Sequence, residues 1–176
     1  MRDRQRSRKA LLLHLLVWGG VMMLFLSQSA LAQRSDVRVL KSWNEPVKIG
    51  GVERMYRVDV IFDYGVGEAR QRVYDAGGAL VEEQVLRQQP HPTAEEREEA
   101  HALIRADAEL ARLIRQQGVV FDGGFILHEA SGLPCGPGTR CLQIEMLSAD
   151  RQRSVRFVAV DLVSGQIKHR NLHPGH

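Results

Sequence analysis

The stretch that most constrains this chain is RMYRVDVIFDY, residues 54–64. Tyr56, Val58, Val60, Phe62 and Tyr64 recur at every second position, with Arg57, Asp59 and Asp63 between them. Successive side chains of a strand point to opposite faces. This period therefore makes one apolar and one polar face, as in a half-buried antiparallel strand. Gly65-Val66-Gly67 turns the chain, and 68–75 read as a second, more polar strand. Ala76-Gly77-Gly78 turns it again, and 79–86 return. Ahead of these, 37–43 read as a weaker strand that stops before Asn44-Glu45-Pro46. The pattern predicts a meander of three or four strands.

A polar hinge, Gln88-Gln89-Pro90-His91-Pro92, separates the meander from helical sequence. Thr93 and Glu96 have capping-box spacing: the hydroxyl accepts an N–H while the carboxylate reaches back to the cap. Pro92 blocks extension backwards. Ala100, Leu103, Ile104, Leu110, Ala111 and Ile114 form an apolar stripe. Asp107 interrupts it and suits a second cap, giving segments 94–105 and 108–117. Gly118 suits the stop. Strands resume at 119–121, 125–129, 140–147 and 153–162, and Val163-Ser164-Gly165 turns into 166–170. Tyr74-Asp75 and Val160-Asp161 both end a strand before a Gly-bearing turn. A weak internal repeat and a shared turn chemistry both account for that. The expected fold is α+β, with antiparallel meanders packed on one helical segment.

Residues 1–9 are basic, 10–26 are apolar apart from His14, and 27–32 read SQSALA. These are the three regions of a secretory signal, with an A-x-A site at Ala30-Leu31-Ala32 and cleavage expected before Gln33. Retention as a membrane anchor is the alternative. The leader holds five of the bases and one acid, so residues 33–176 sit near −1 overall despite a formal charge of +3 for the chain. The basic balance therefore belongs to the leader, and a nucleic-acid partner is not expected. The expected divisions are a signal peptide at 1–32, a lead-in at 33–49, a domain at 50–170 and a flexible tail at 171–176. Localisation is expected to be secreted or periplasmic. The two cysteines, Cys135 and Cys141, flank GPGTR. An oxidising compartment favours their disulfide, which would staple a short Gly/Pro loop.

From Arg54 the meander, then TAEEREEAHALIRADAELARLIRQQGVV, then Arg140–Arg170 ending VDLVSGQIKHR, together resemble the third N-terminal domain of copper amine oxidases. The better matches are Ala106–Gly118 and the strand end Val160-Asp161-Leu162. The resemblance spans roughly residues 50–170. It implies a cystatin-like α+β fold and a non-catalytic role. That family's chemistry needs an Asn-Tyr quinone precursor and a His-x-His copper pair, and this sequence has neither. Amine oxidase activity is not carried over.

No residue pattern points to catalysis or to a cofactor. Ser131-Gly132 and Ser164-Gly165 lack a G-x-S-x-G context, and Gly50-Gly51 and Gly123-Gly124 read as turn pairs. His169, His173 and His176 have H-x3-H-x2-H spacing, so a weak transition-metal site in the tail is the alternative function. His91, His101 and His128 are scattered, and His128 and Glu129, as strand neighbours, face opposite ways. Glu95, Glu96, Glu98 and Glu99 read as complements to the helix dipole. Arg151, Arg153 and Arg156 read as a solvated basic cluster at a hairpin. The reading that remains is a non-enzymatic module contacting another envelope or secreted protein, with sheet edges and the Cys135–Cys141 loop as its contact points.

Overall fold

A computed structural model of the chain describes residues 36–127 and 135–172. The leader and its cleavage site lie outside these, as do His128, Glu129, Ser131-Gly132, His173 and His176. The fold is α+β. Strands β1 (Val37–Ile49), β2 (Val52–Asp63), β3 (Glu68–Tyr74) and β4 (Leu80–Val85) form one antiparallel meander. Helices α1 (Ala94–Ala106) and α2 (Ala108–Gln117) follow. A second meander is built from β5 (Val120–Ile126), β6 (Cys141–Leu147), β7 (Ser154–Asp161) and β8 (Gln166–His169).

The helices form where their caps place them. Thr93 and Glu96 make the reciprocal capping box, with Thr93 N–H to Glu96 Oε2 at 2.8 Å and Glu96 N–H to Thr93 Oγ1 at 3.2 Å. Asp107 ends α1 and caps α2, accepting from the Glu109 and Leu110 N–H groups at 3.1 Å each. One residue thus splits a single apolar stripe into two helices. Gly118 closes α2 at φ 61, where a side chain would be strained.

The main core cluster draws on every layer, and a smaller one gathers Cys135, Cys141 and Ala159. Ala100, Ile104 and Leu110 of the helices meet Leu142, Ile144 and Met146 of β6. Val158 and Val160 of β7 and the following Leu162 complete that layer. Cross-strand pairs Ile144–Val158 and Leu142–Val160 share one face of the sheet, which is why alternate residues of β6 and β7 all turn inward. The first sheet reaches this cluster through Phe62, Tyr64 and Ala69.

Two elements depart from the sequence pattern. β1 does not stop at residue 43 but runs through Pro46 to Ile49, each residue from Lys41 onward opposite one of β2, and turns at Gly50-Gly51 with φ 60 and 86. β1 is an edge strand, so Pro46 needs no outward ladder bond and is tolerated. The two short runs expected at 119–121 and 125–129, where described, join in the single strand Val120–Ile126. Gly123-Gly124 is not a turn but a bulge, where the register with β6 slips between Gly123 and Phe125. A Cβ on Gly124 would lie 2.5 Å from Arg97 Cδ, so the bare backbone there leaves room for the Arg97 side chain of α1.

Burial along β2 also differs from simple alternation. Val52 to Met55 are all exposed, whereas Val58 to Phe62 are all buried, including Asp59 and Ile61 on the second face. Of β2, only Arg57–Asp63 pair with β3. Beyond Arg57, β2 pairs with β1 alone, as a two-stranded ribbon of Glu45–Ile49 against Val52–Tyr56.

Candidate functional site

Two charged residues sit inside the core and organise what surrounds it. Glu96 and Arg140 are both fully buried. The guanidinium grips the carboxylate with two bonds, Nε to Oε1 at 2.6 Å and Nη2 to Oε2 at 2.9 Å. Its remaining Nη1 donates to Pro90 O at 3.1 Å and to Gln89 Oε1 at 3.3 Å. Tyr64 Oη donates to Glu96 Oε1, and the Phe62 ring lies 4.8 Å under the guanidinium. Burial works against the charged form of Glu96. The Arg140 bonds and charge, with help from Tyr64 and the Thr93 N–H, outweigh it and hold the carboxyl below its ordinary value. Burial, followed by the bond to Glu96, pushes the Tyr64 hydroxyl up. The cluster therefore ties the end of the first sheet, the hinge, the start of α1 and the start of β6 into one lock. Its donors and acceptors satisfy one another, which suits structure rather than proton transfer.

The Cys135–Cys141 disulfide is formed, with the Cα atoms 5.8 Å apart, and both residues are buried. The loop it closes is bonded within itself. Gly136 N–H donates to Thr139 Oγ1 at 3.0 Å and Thr139 Oγ1 to Gly136 O at 2.7 Å. Gln89 Nε2 holds Thr139 O at 2.7 Å. The loop leans on the β2–β3 turn so closely that a Cβ on Gly67 would lie 2.3 Å from Gly138 O. Beside this contact is a groove of about 400 Å³, lined chiefly by Val66, Glu68, Val85, Leu86, Leu127 and Pro137.

β4 leads into that groove. It is an outer strand of the first sheet, and all six of its residues are exposed. Leu86 N–H donates to Ala69 O at 2.9 Å. Antiparallel alternation then turns the N–H and C=O of Glu83 and Val85 outward, where no described strand pairs with them. β1, the opposite edge, carries Lys41, Lys48, Pro46 and a register irregularity at Val39/Lys41, all features that discourage further pairing. β4 has no Lys or Pro, and its irregularity lies at its start, where Val81 is passed over in the register. Glu83 is matched within the sheet by Arg70 at 2.8 Å and by Arg72, which hold its carboxyl low.

The remaining sequence candidates are dispersed. His101 stacks on Phe121 with centroids 4.6 Å apart, and burial pushes its imidazole pKa down. His91 and His169 are exposed on separate elements. Among the described residues no three His, Cys, Asp or Glu side chains gather as a metal site, and no helix is long and apolar enough to cross a membrane. Of the acidic first turn, Glu96 turns inward to Arg140, and Glu99 accepts from Arg38 at 2.8 Å, so only Glu95 and Glu98 remain exposed. Asp75 and Asp161 do the same local work. Asp75 accepts from the Gly77 and Ala79 N–H groups at 2.9 Å, and Asp161 from Val163 at 3.1 Å and Ser164 at 3.3 Å.

Sequence reasoning missed Arg140, though its signal was present. Arg140, Leu142, Ile144 and Met146 share one parity, and Glu96, Ala100 and Ile104 share one helical face. Both periods point a charge into the core, and the charges are opposite. No protein-family model and no curated protein sequence matches the chain.

Proposed function

We propose that this chain is a non-catalytic binding module of the secreted or periplasmic space that takes an extended segment of another envelope protein along β4. The signal-like leader supports the compartment. The resemblance to the third N-terminal domain of copper amine oxidases supports a cystatin-like, non-catalytic role. The observation that carries the reading is the open edge of β4 running into a groove walled by the stapled loop. Main-chain bonds to Glu83 and Val85 supply affinity in such an addition, and a side chain seated in the groove supplies selectivity. The disulfide and the Thr139 bonds hold that wall in place before binding, which lowers the ordering cost.

Photo-crosslinking residues at Val85 and Pro137, with Asp122 on β5 as control, test this in the producing cell. A discrete adduct from the first two positions and none from the control is expected. Val85→Pro removes an outward N–H without touching the β3 ladder, and it should abolish the Pro137 adduct. Adducts that persist in Val85→Pro, or that form only at Asp122, would rule out strand addition at β4.

A further inference from the structure

A second surface, on the opposite sheet, has its own chemistry. Arg112 and Arg115 lie one turn apart on the exposed side of α2, away from Leu110 and Ile114. Arg151 and Arg153 are exposed in the hairpin that joins β6 to β7. The structure brings these together. Gly118, at the end of α2, would place a Cβ 3.7 Å from Ala149 Cβ in that hairpin. Arg156 of β7 bridges to Glu109 of α2 at 2.7 Å. Helix end and hairpin are therefore side by side, and five arginines share one end of the molecule.

Nearby carboxylates are already engaged. Glu109 is taken by Arg156, with Arg170 at 3.9 Å. Asp150 accepts from Ser148 Oγ at 2.6 Å and Gln152 N–H at 3.1 Å, and Arg153 adds only its charge. No described carboxylate forms an ion pair with Arg112, Arg115 or Arg151.

The backbone of the hairpin adds an independent observation. Arg151 has φ 59, the one positive φ on a non-glycine among the described residues. At the other nine such positions among the described residues the chain places glycine. The hairpin closes through Arg151 N–H to Ser148 O at 2.8 Å and Ser148 N–H to Arg153 O at 2.9 Å, so the strained position is the tip itself. Glycine would adopt it freely, and an arginine there costs the fold and presents a guanidinium at the apex.

We propose that this end of the molecule, Arg112, Arg115, Arg151 and Arg153, is an interaction surface for an acidic segment of a partner protein. The large exposed apolar residues, such as Met55, Val85 and Phe125, lie on other elements, so this end offers nothing to insert into a bilayer or to stack on bases. Guanidinium forks match carboxylates two bonds at a time, as Arg140 and Glu96 do in the core. The proposal stands apart from the β4 reading and does not depend on it.

Anisotropy titration of the protein, as purified from its producing cell, with a fluorescent ten-residue peptide alternating Glu and Ser is the test. Saturable binding that weakens with added salt is expected. R112E/R115E should lower affinity by about tenfold or more, with R112Q/R115Q as the milder variant should charge reversal disturb folding. R151G should weaken binding about two- to threefold while leaving the melting temperature unchanged or higher, a pairing that a purely structural arginine would not give. The proposal falls if wild type does not bind the peptide, or if R112E/R115E binds it equally well. It also falls if a sulfated polysaccharide, vesicles containing phosphatidylglycerol or a second copy of the chain occupies these arginines more tightly.

Discussion

The two sheets share one topology, a four-stranded antiparallel meander, and bury their residues in different ways. In β6 of the second sheet burial alternates across the strand, while β7 runs from the exposed Ser154 to the wholly buried Val158–Asp161. Leu142, Ile144 and Met146 face the helices, and Gln143 and Glu145 remain half-buried on the other side. In the first sheet burial changes along the strand, from the wholly exposed Val52–Met55 to the wholly buried Val58–Phe62. The helices packed on β6 set its buried face, whereas β2 loses burial where it leaves the common core. α1 packs on β6, β7 and β8, while the first sheet meets the common core through Phe62, Tyr64 and Ala69, with Leu40 and Leu86 packed beside them. The Glu96–Arg140–Tyr64 lock sits at that junction.

The largest effect is expected at the lock. Arg140→Ala leaves Glu96 buried without its cation and should cost about 3–5 kcal/mol in denaturant unfolding. Arg140→Met combined with Glu96→Leu should cost much less, because neither charge is then stranded. Equal losses from both variants would mean that the site matters for its shape alone.

Next comes the contrast between face and gradient. Ile144→Ala in the helix-backed sheet should cost about 2–5 kcal/mol, whereas Met55→Ala on the outer ribbon should change stability by less than about 0.5 kcal/mol. A large loss at Met55, which is 59% exposed, would break the comparison. Replacing Cys135 and Cys141 with serine should cost about 2 kcal/mol, because the closed ring is short, and the change should register at the groove rather than in β6 and β7.

The smallest expected effect is a pH dependence. Glu96 has a depressed folded-state pKa, so its contribution is complete above the unfolded value of about 4.3 and is lost as pH falls through the folded one. Wild-type stability should therefore fall more steeply as pH drops below about 4.3 than it would without this carboxylate. The Arg140→Met, Glu96→Leu protein should lack that component, as read by stability measured between pH 2 and pH 6.

Much of this architecture is written in local pattern. Thr93–Glu96, Asp107 and Gly118 each determine a helix boundary through a hydrogen bond made within a few residues, so the helices can be read directly. The oxidised pair and the strand turns at Asp75 and Asp161 are local as well. The rest depends on partners far along the chain. Pro46 reads as a strand breaker until β2 lies on one side of it and nothing on the other. Gly123-Gly124 reads as a turn until Arg97 packs on it. Glu96 reads as a dipole complement until Arg140, forty-four residues later, arrives at the same buried spot. The groove beside β4 likewise arises only when the disulfide loop meets Gly67.

Native-state hydrogen exchange tests the junction most directly, since it reports local opening residue by residue. The amides of Leu142–Met146 and Val58–Phe62 should exchange only with global unfolding, while those of Val52–Met55 should exchange through a much cheaper local opening. Equal protection in all three segments would show instead that the outer ribbon belongs to the core and that no gradient runs along the first sheet.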